Sequence, residues 1–157
     1  MGYTNYWTQS KKQDRFSDEF VEMAREICRL GFDRGIELAS GDGETSFGVF
    51  ELNEELLKDY VANDGIWING FGDESCETFS LEPQAEVGEF SFCKTARNRY
   101  DAVVKALMFL AYREGIIRDI SWDSCGDKEQ NEYGFALYES ATKDMSMREE
   151  MSRILGI

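Results

Sequence analysis

The stretch from residue 95 to residue 114, TARNRYDAVVKALMFLAYRE, places the strongest constraint on how this chain can fold. Its apolar residues recur at helical spacing: Ala96, Tyr100, Val103, Leu107, Leu110 and Ala111. The second half of the stretch is apolar on nearly every side, and a helix of that kind has to be enclosed by other elements. We therefore predict a long central helix over 95–114, ended by Gly115.

The other predicted elements are mostly short strands separated by turns. Strand-like patterns occur in YTNYWTQ, GIELAS, FGVFEL, GIWING, ETFSLE, residues 90–93 and IRDISW. Further helices are predicted from Ser17 to Gly31 and in NEELLKDY, KEQNEYGFALYES and SMREEMSRIL. This order predicts one α+β domain over residues 1–157, with a mainly antiparallel sheet and helices packed on one face.

Composition narrows the classes of protein to which the chain can belong. Hydrophobic residues make up 42% and aromatic residues 13%, which favours a folded core over disorder. The longest apolar run, 106–112, is much shorter than the ~20 residues of a membrane span. The chain has no histidine, and its four cysteines are scattered without a CxxC pair. We therefore expect a cytoplasmic protein of a bacterial host cell with reduced thiols, no metal site and no cofactor.

Negative charge is concentrated in residues 37–89, called here the acidic segment. The whole chain has a net charge of −14, and the acidic segment holds fourteen acids against one base, Lys58. It thus accounts for all but one unit of the net charge. A field of this sign would attract a basic partner and speed its association, as in proteins that imitate nucleic acid. The alternative is a solvated surface that keeps the protein soluble.

Under the first interpretation, the acidic segment binds a partner through carboxylates and two aromatic anchors. The predicted partner-binding residues are Glu44, Glu51, Glu54, Glu55, Asp59, Asp64, Asp73, Glu74, Glu77, Trp67 and Phe71. The expected partner is a basic nucleic-acid-binding host protein, with no direct contact to nucleic acid or membrane. Trp67, flanked by two isoleucines, fits a place in the core equally well.

Three cations stand at the predicted start of the long helix, where the helix dipole disfavours positive charge. They are Lys94, Arg97 and Arg99. One explanation is internal, because carboxylates of the acidic segment could pair with them and join sheet to helix. The other is a pocket in which Lys94, Thr95, Arg97 and Arg99 bind a phosphate or carboxylate.

Three segments carry a resemblance to a known group of proteins. MGYTNYW, WINGFGDESCETF and FSFCKTARNRYDAVV resemble an uncharacterised family of small bacterial and phage proteins, in order and spacing across most of the chain. Members of that family often have histidine at the positions of Asn5 and Cys76, and a Ser-Ser-Asp-Gly-like turn where this chain has SWDSCG. The resemblance implies a single domain of phage or bacterial origin.

These features lead to three hypotheses about function. The first is a non-enzymatic, phage-encoded acidic inhibitor that occupies a nucleic-acid site on a bacterial defence protein, of anti-CRISPR or anti-restriction type. The second is a small-ligand binder or enzyme that uses residues 94–100 and nearby carboxylates, such as Glu77 and Asp101, to hold a phosphate or nucleotide. The third is a regulatory domain that forms a homodimer. The absence of histidine removes the commonest general base, and a lone Cys93 before the cations is more typical of a core thiol, so no catalytic residue is assigned.

Overall fold

The computed structural model describes residues 2–157, in which antiparallel sheets combine with α-helices. Strands β1 to β7 span Thr4–Gln9, Leu38–Ser40, Val61–Ala62, Gly65–Gly70, Phe79–Leu81, Phe90–Lys94 and Ile117–Trp122. Helices α1 to α5 span Asp18–Asp33, Glu54–Tyr60, Asp101–Arg113, Lys128–Thr142 and Met147–Leu155. A 3-10 turn covers Gly72–Glu74. The predicted α+β class is confirmed, while Met1 of the MGYT segment lies outside the described residues.

The strands form two antiparallel sheets. β1 is the centre of the first sheet, with β6 and β7 on either side, and β4 is the centre of the second, paired with β2, β3 and β5. Along β1, buried Asn5, Trp7 and Gln9 alternate with half-buried neighbours, so one face of the first sheet is turned to the core. On the opposite face Phe90 and Phe92 are 62% and 55% exposed. The helices therefore pack on the inner face of this sheet.

The outer face of the first sheet is aromatic at the β6 end. The rings of Tyr6 and Phe90 are stacked with centroids 6.1 Å apart, and the Phe90 and Phe92 centroids are 6.3 Å apart. Among the described residues β6 pairs with β1 alone. Phe90 and Phe92 therefore lie exposed on a strand at the end of its sheet.

Helix α3 is the predicted central helix. Every residue from Asp101 to Ala111 is buried, and α1, α4 and β7 pack around it. Two glycines allow α1 and α4 to pack close to α3. A Cβ at Gly31 of α1 would lie 2.8 Å from Val103 Cγ2, and a Cβ at Gly134 of α4 would lie 2.7 Å from Lys105 Cβ. Across residues 2–157 the structure shows no helix with the length and apolar character needed to cross a membrane.

Several sequence signals predict local structure correctly. Ser17 caps α1, with its hydroxyl accepting from the Phe20 N–H at 3.1 Å, and Asn53 caps α2. Strands β4 and β7 coincide with GIWING and IRDISW. Both segments contain β-branched residues between turn signals, which is the pattern typical of buried strands.

The predicted start of the central helix is wrong. Helix α3 begins at Asp101 and not at residue 95, because residues 95–100 form turns. Ala96 and Arg97 have φ values of 55° and 61°, which a right-handed helix cannot contain. The N–H groups of Thr95 and Ala96 both donate to the Tyr3 carbonyl, so the chain stays attached to the first sheet before it enters the helix.

Two further local predictions are wrong. FGVFEL forms bends instead of a strand, since Gly48 has a φ of 134° and a Cβ there would meet the Glu51 carbonyl. Gly31 does not end α1, which continues to Asp33 and is followed by Gly35 with a φ of 82°. Gly31 instead serves the close contact with α3.

Candidate functional site

The carboxylates of the acidic segment point to solvent. Twelve of the fourteen belong to exposed residues, while Glu37 and Glu77 are half-buried. Within residues 2–157, two of them form ion pairs: Glu54 with Arg29 at 2.7 Å and Glu86 with Lys12 at 2.5 Å. Most of this negative charge is therefore not neutralised by the chain's own cations.

The predicted partner-binding residues do not form one compact cluster. Asp64 lies just before β4, whereas Asp73 and Glu74 follow it, so these acids stand at opposite ends of a six-residue strand. At 3.3 Å per residue the two ends are about 17 Å apart. Three others, Glu54, Glu55 and Asp59, lie on α2. The negative surface thus extends along the second sheet.

One end of that sheet combines acids with exposed apolar side chains, and we call it the acidic corner: Asp42, Glu44, Val49, Phe50, Glu51, Phe71, Asp73 and Glu74. The Gly72 N–H donates to the Gly43 carbonyl at 3.0 Å, which brings the 42–44 turn beside the 3-10 turn. Val49 and Phe71 line one groove of about 290 Å³ together with Glu74.

Phe50 is the most exposed large apolar residue of the acidic corner. Its side chain is 99% exposed and Val49 is 62% exposed, whereas Phe71 is 37% exposed. Exposed apolar groups rimmed by charge are typical of protein-binding surfaces. Val49 and Phe50 are not among the partner-binding residues predicted from the sequence, because FGVFEL is predicted as a strand, although the glycine before them is a turn signal.

Trp67, the other predicted anchor, is partly enclosed by its own chain. It is half-buried on β4, and its ring lies so close to Gly65 that a Cβ there would approach it to 2.3 Å. Its Nε1 donates to Glu82 Oε1 at 3.4 Å. Trp67 therefore covers the backbone of β4 and extends toward one carboxylate of the acidic segment.

The two arginines before α3 are held by partners outside the acidic segment. Arg97 Nη1 lies 2.9 Å from Asp127 Oδ2, and the Arg97 guanidinium stacks on the Tyr3 ring at 4.8 Å. Arg99 donates to the Gly35 carbonyl. The Lys94 side chain is exposed, and its backbone contacts the acidic segment at Glu77. The Lys94 N–H donates to Glu77 Oε2 at 2.8 Å, and the Lys94 carbonyl accepts from the Glu77 N–H at 2.9 Å.

Thr95, the fourth residue of the predicted anion pocket, belongs to a buried polar network that is not predicted from the sequence. Its hydroxyl donates to Asp101 Oδ1 at 2.7 Å, and Asn5 donates to the same oxygen at 2.8 Å. Asp101 Oδ2 accepts from Lys105 Nζ at 2.7 Å and from Gln130 Nε2 at 2.8 Å. The network joins β1, the 95–100 turn, α3 and α4. An aspartate and a lysine four residues apart in an apolar helix were its one sequence signal.

Burial governs the ionisation of groups in and around this network. Desolvation lowers the pKa of Lys105, although the Asp101 carboxylate opposes that shift. Desolvation raises the pKa of Tyr3, whose hydroxyl is buried without a hydrogen-bond partner in the described protein. Lys105 Nζ lies 4.3 Å from the centroid of the Tyr3 ring. With every oxygen of Asp101 occupied, the network is suited to holding elements together rather than to proton transfer.

Nucleophilic chemistry at Cys93 is not favoured by its surroundings. The thiol is fully buried, and desolvation raises its pKa above the ordinary value, so the reactive thiolate is disfavoured. Among residues 2–157, no three His, Cys, Asp or Glu side chains are grouped so as to hold a metal ion.

No protein-family model, curated protein or solved structure matches this chain. Its function is therefore inferred from its own exposed charges, apolar side chains and cavities.

Proposed function

We propose that this chain is a non-enzymatic, phage-encoded inhibitor that occupies the nucleic-acid-binding surface of a bacterial defence protein, such as a CRISPR effector or a restriction enzyme. The observation that supports the proposal is the exposure of twelve acidic-segment residues, of which two are ion-paired within the described chain. A nucleic-acid-binding groove is lined with lysine and arginine that normally contact phosphates. Free carboxylates on this protein present the same charge to that groove.

Charge alone does not make a stable complex, because exposed ion pairs contribute little free energy. The acidic corner adds apolar surface where Phe50 and Val49 project to solvent. Aromatic residues surrounded by polar groups are the commonest source of binding energy in protein interfaces. We therefore assign long-range attraction to the carboxylates along the second sheet and the lasting contact to Phe50 and its neighbours.

The experiment is a binding measurement with matched charge variants. The wild-type chain captures partners from a bacterial lysate that contains CRISPR and restriction proteins, and the captured protein is then purified for kinetic binding measurements. The test variant neutralises three acids of the acidic corner: Glu44→Gln, Asp73→Asn and Glu74→Gln. The control variant changes the net charge equally at exposed positions outside the acidic segment: Asp14→Asn, Glu129→Gln and Glu149→Gln.

We expect the test variant to lower the association rate and the control variant to leave it nearly unchanged. Binding should weaken as salt rises and should be competed by duplex DNA or by RNA, because the partner's cations are shared. Phe50→Ala should increase the dissociation rate with little effect on association. Recovery of no nucleic-acid-binding protein, or binding that is indifferent to salt, would overturn the proposal.

A further inference from the structure

A second cavity lies between the end of α1, the 95–100 turn and α4, and it adjoins the groove of the acidic corner, because Ile36 and Arg99 line both. Its volume is about 520 Å³, within the usual range for small-molecule sites. Three arginines line it: Arg34, Arg97 and Arg99. The chain has 31 acids against 17 bases, so three arginines around one cavity form a local reversal of the overall charge.

Two of these arginines have no carboxylate partner among the described residues. Arg34 Nη2 donates to the Ser140 hydroxyl at 2.8 Å, and Arg99 donates to the Gly35 carbonyl. Both side chains therefore keep free N–H groups without a neutralising charge. Guanidinium groups of this kind bind carboxylates and phosphates through paired hydrogen bonds.

The carboxylates on the α4 side of the cavity are already occupied. Glu132 lines it, but both of its oxygens accept from Arg148, and that contact lowers the pKa of the Glu132 carboxyl. Asp127 is held by Arg97. The charge that remains available to a ligand is therefore positive.

The wall of the cavity is fixed by the buried network. Gln130 lines the cavity and donates its Nε2 to Asp101, which is fully buried. Arg97 is held between Asp127 and the Tyr3 ring, on a backbone with a φ of 61° that non-glycine residues rarely adopt. Positive φ values in consecutive residues, Ala96 and Arg97, occur where the surrounding structure imposes them. The arginines are thus positioned before any ligand binds.

The rest of the lining is apolar and includes an exposed ring. Ala102, Ala136 and Leu137 belong to the lining, and so does Tyr133, whose side chain is 55% exposed. An apolar floor beside guanidinium groups suits a planar ring that carries an anionic group. From this geometry we propose that the cavity binds a small aromatic phosphate of the nucleoside monophosphate type. This site adjoins the proposed partner surface at Arg99, but the proposal does not depend on partner binding.

The test is titration of the full chain with AMP, CMP, GMP and UMP, and separately with the unphosphorylated nucleosides and with inorganic phosphate, followed by calorimetry and by NMR of the protein. At least one monophosphate should bind more tightly than its nucleoside and more tightly than phosphate alone. Arg34→Gln should weaken that binding by about tenfold or more, because a charge-assisted bond is lost. Arg118→Gln, an exposed arginine on β7, is the matched control and should change the affinity by less than about twofold.

A second variant tests the same cavity in case Arg34→Gln alters the fold. Ala136→Trp places a large ring in the cavity and leaves all three arginines in place, so it should abolish nucleotide binding while the circular dichroism spectrum stays unchanged. Absence of binding by all four monophosphates at millimolar concentration would overturn the proposal. Equal affinity for phosphate alone, or binding that survives both variants, would overturn it as well.

Discussion

Lys105 Nζ lies 2.7 Å from Asp101 Oδ2 at the start of α3, and neither side chain has any exposure to solvent. Removing two charges from water is expensive, so a buried pair of this kind is stable only when its other hydrogen-bonding positions are filled. Here Asn5, Thr95 and Gln130 fill the remaining positions of Asp101. The pair therefore works as part of one network that fixes β1 and α4 against α3.

Removing one partner of this pair should destabilise the protein strongly. We expect Asp101→Asn to lower the free energy of unfolding by about 3–5 kcal/mol, because the Lys105 ammonium loses its buried counter-charge. Lys105→Met should cost less, since Asp101 keeps three neutral donors in Asn5, Thr95 and Gln130. Urea unfolding of both variants and of the double variant measures the coupling. Single variants within about 0.5 kcal/mol of wild type would contradict the assigned role.

Stability should fall in alkaline solution. Burial raises the pKa of Cys28 to about 12 and also raises the pKa values of Cys93, Tyr3, Tyr100 and Tyr138. Between the unfolded and folded pKa of each group the folded state binds more protons, so stability decreases as pH rises. The unfolded values are about 8.5 for cysteine and 10 for tyrosine. We expect the urea midpoint to be flat from pH 7 to 8 and to fall progressively above pH 9.

Lys105 contributes to the pH dependence of stability with the opposite sign. Its folded pKa is lowered, so the unfolded chain binds more protons and this one contribution rises with pH up to the unfolded value of about 10.4. Because this one lysine is outweighed by the five cysteine and tyrosine groups, the stability still decreases overall as the pH rises. Cys28→Ala provides the control, because removal of that thiol should make the decline between pH 9 and 10 shallower. A midpoint that does not change between pH 7 and 10.5 would contradict this prediction.

The four cysteines should divide into two classes by reactivity. Cys28 and Cys93 are buried, whereas Cys76 and Cys125 are half-buried. We expect Ellman's reagent to label Cys76 and Cys125 in the folded protein and all four thiols in guanidinium chloride. The double variant Cys76→Ser, Cys125→Ser should then be nearly unreactive when folded. Rapid labelling of that variant would show that Cys28 or Cys93 is accessible and would contradict this division.

Gly134→Ala should destabilise the protein even though alanine is the better helix former. In an exposed helix the change would stabilise by about 1 kcal/mol. Here the new Cβ would lie 2.7 Å from Lys105 Cβ, so α4 would have to move away from α3. We expect a loss of about 1–3 kcal/mol in thermal or urea unfolding. Gly126→Ala is the control: apart from its chain neighbours, no atom lies within 4 Å of the added Cβ, and the stability of this variant should be close to that of wild type.

The sequence predicts those parts of the fold that depend on residues close to one another in the sequence. Ser17 and the patterns over 65–70 and 117–122 determine local geometry, and the elements formed there agree with prediction. The start of α3 depends on hydrogen bonds from Thr95 and Ala96 to Tyr3, which is distant in sequence. Helical periodicity contains no information about such a contact.

In the candidate sites too, some features follow from the sequence and others depend on contacts between distant residues. The sign and exposure of the charge in the acidic segment follow from composition, because unpaired carboxylates stay in water. The placement of Asp64 and Asp73 at opposite ends of β4 follows from strand pairing and could not be read from spacing. Arg34 was not associated with Arg97 and Arg99, because only the packing of α1 against α4 brings it to the same cavity.

The end strand of the first sheet sets a limit on the conditions in which this protein stays in solution. Phe90 and Phe92 are exposed there beside backbone that a second extended chain could join. At neutral pH the strong mutual repulsion of negatively charged copies opposes such self-assembly. That repulsion vanishes as the pH approaches the isoelectric point of about 4.4, so turbidity should be greatest near that pH, and Phe90→Lys should reduce it.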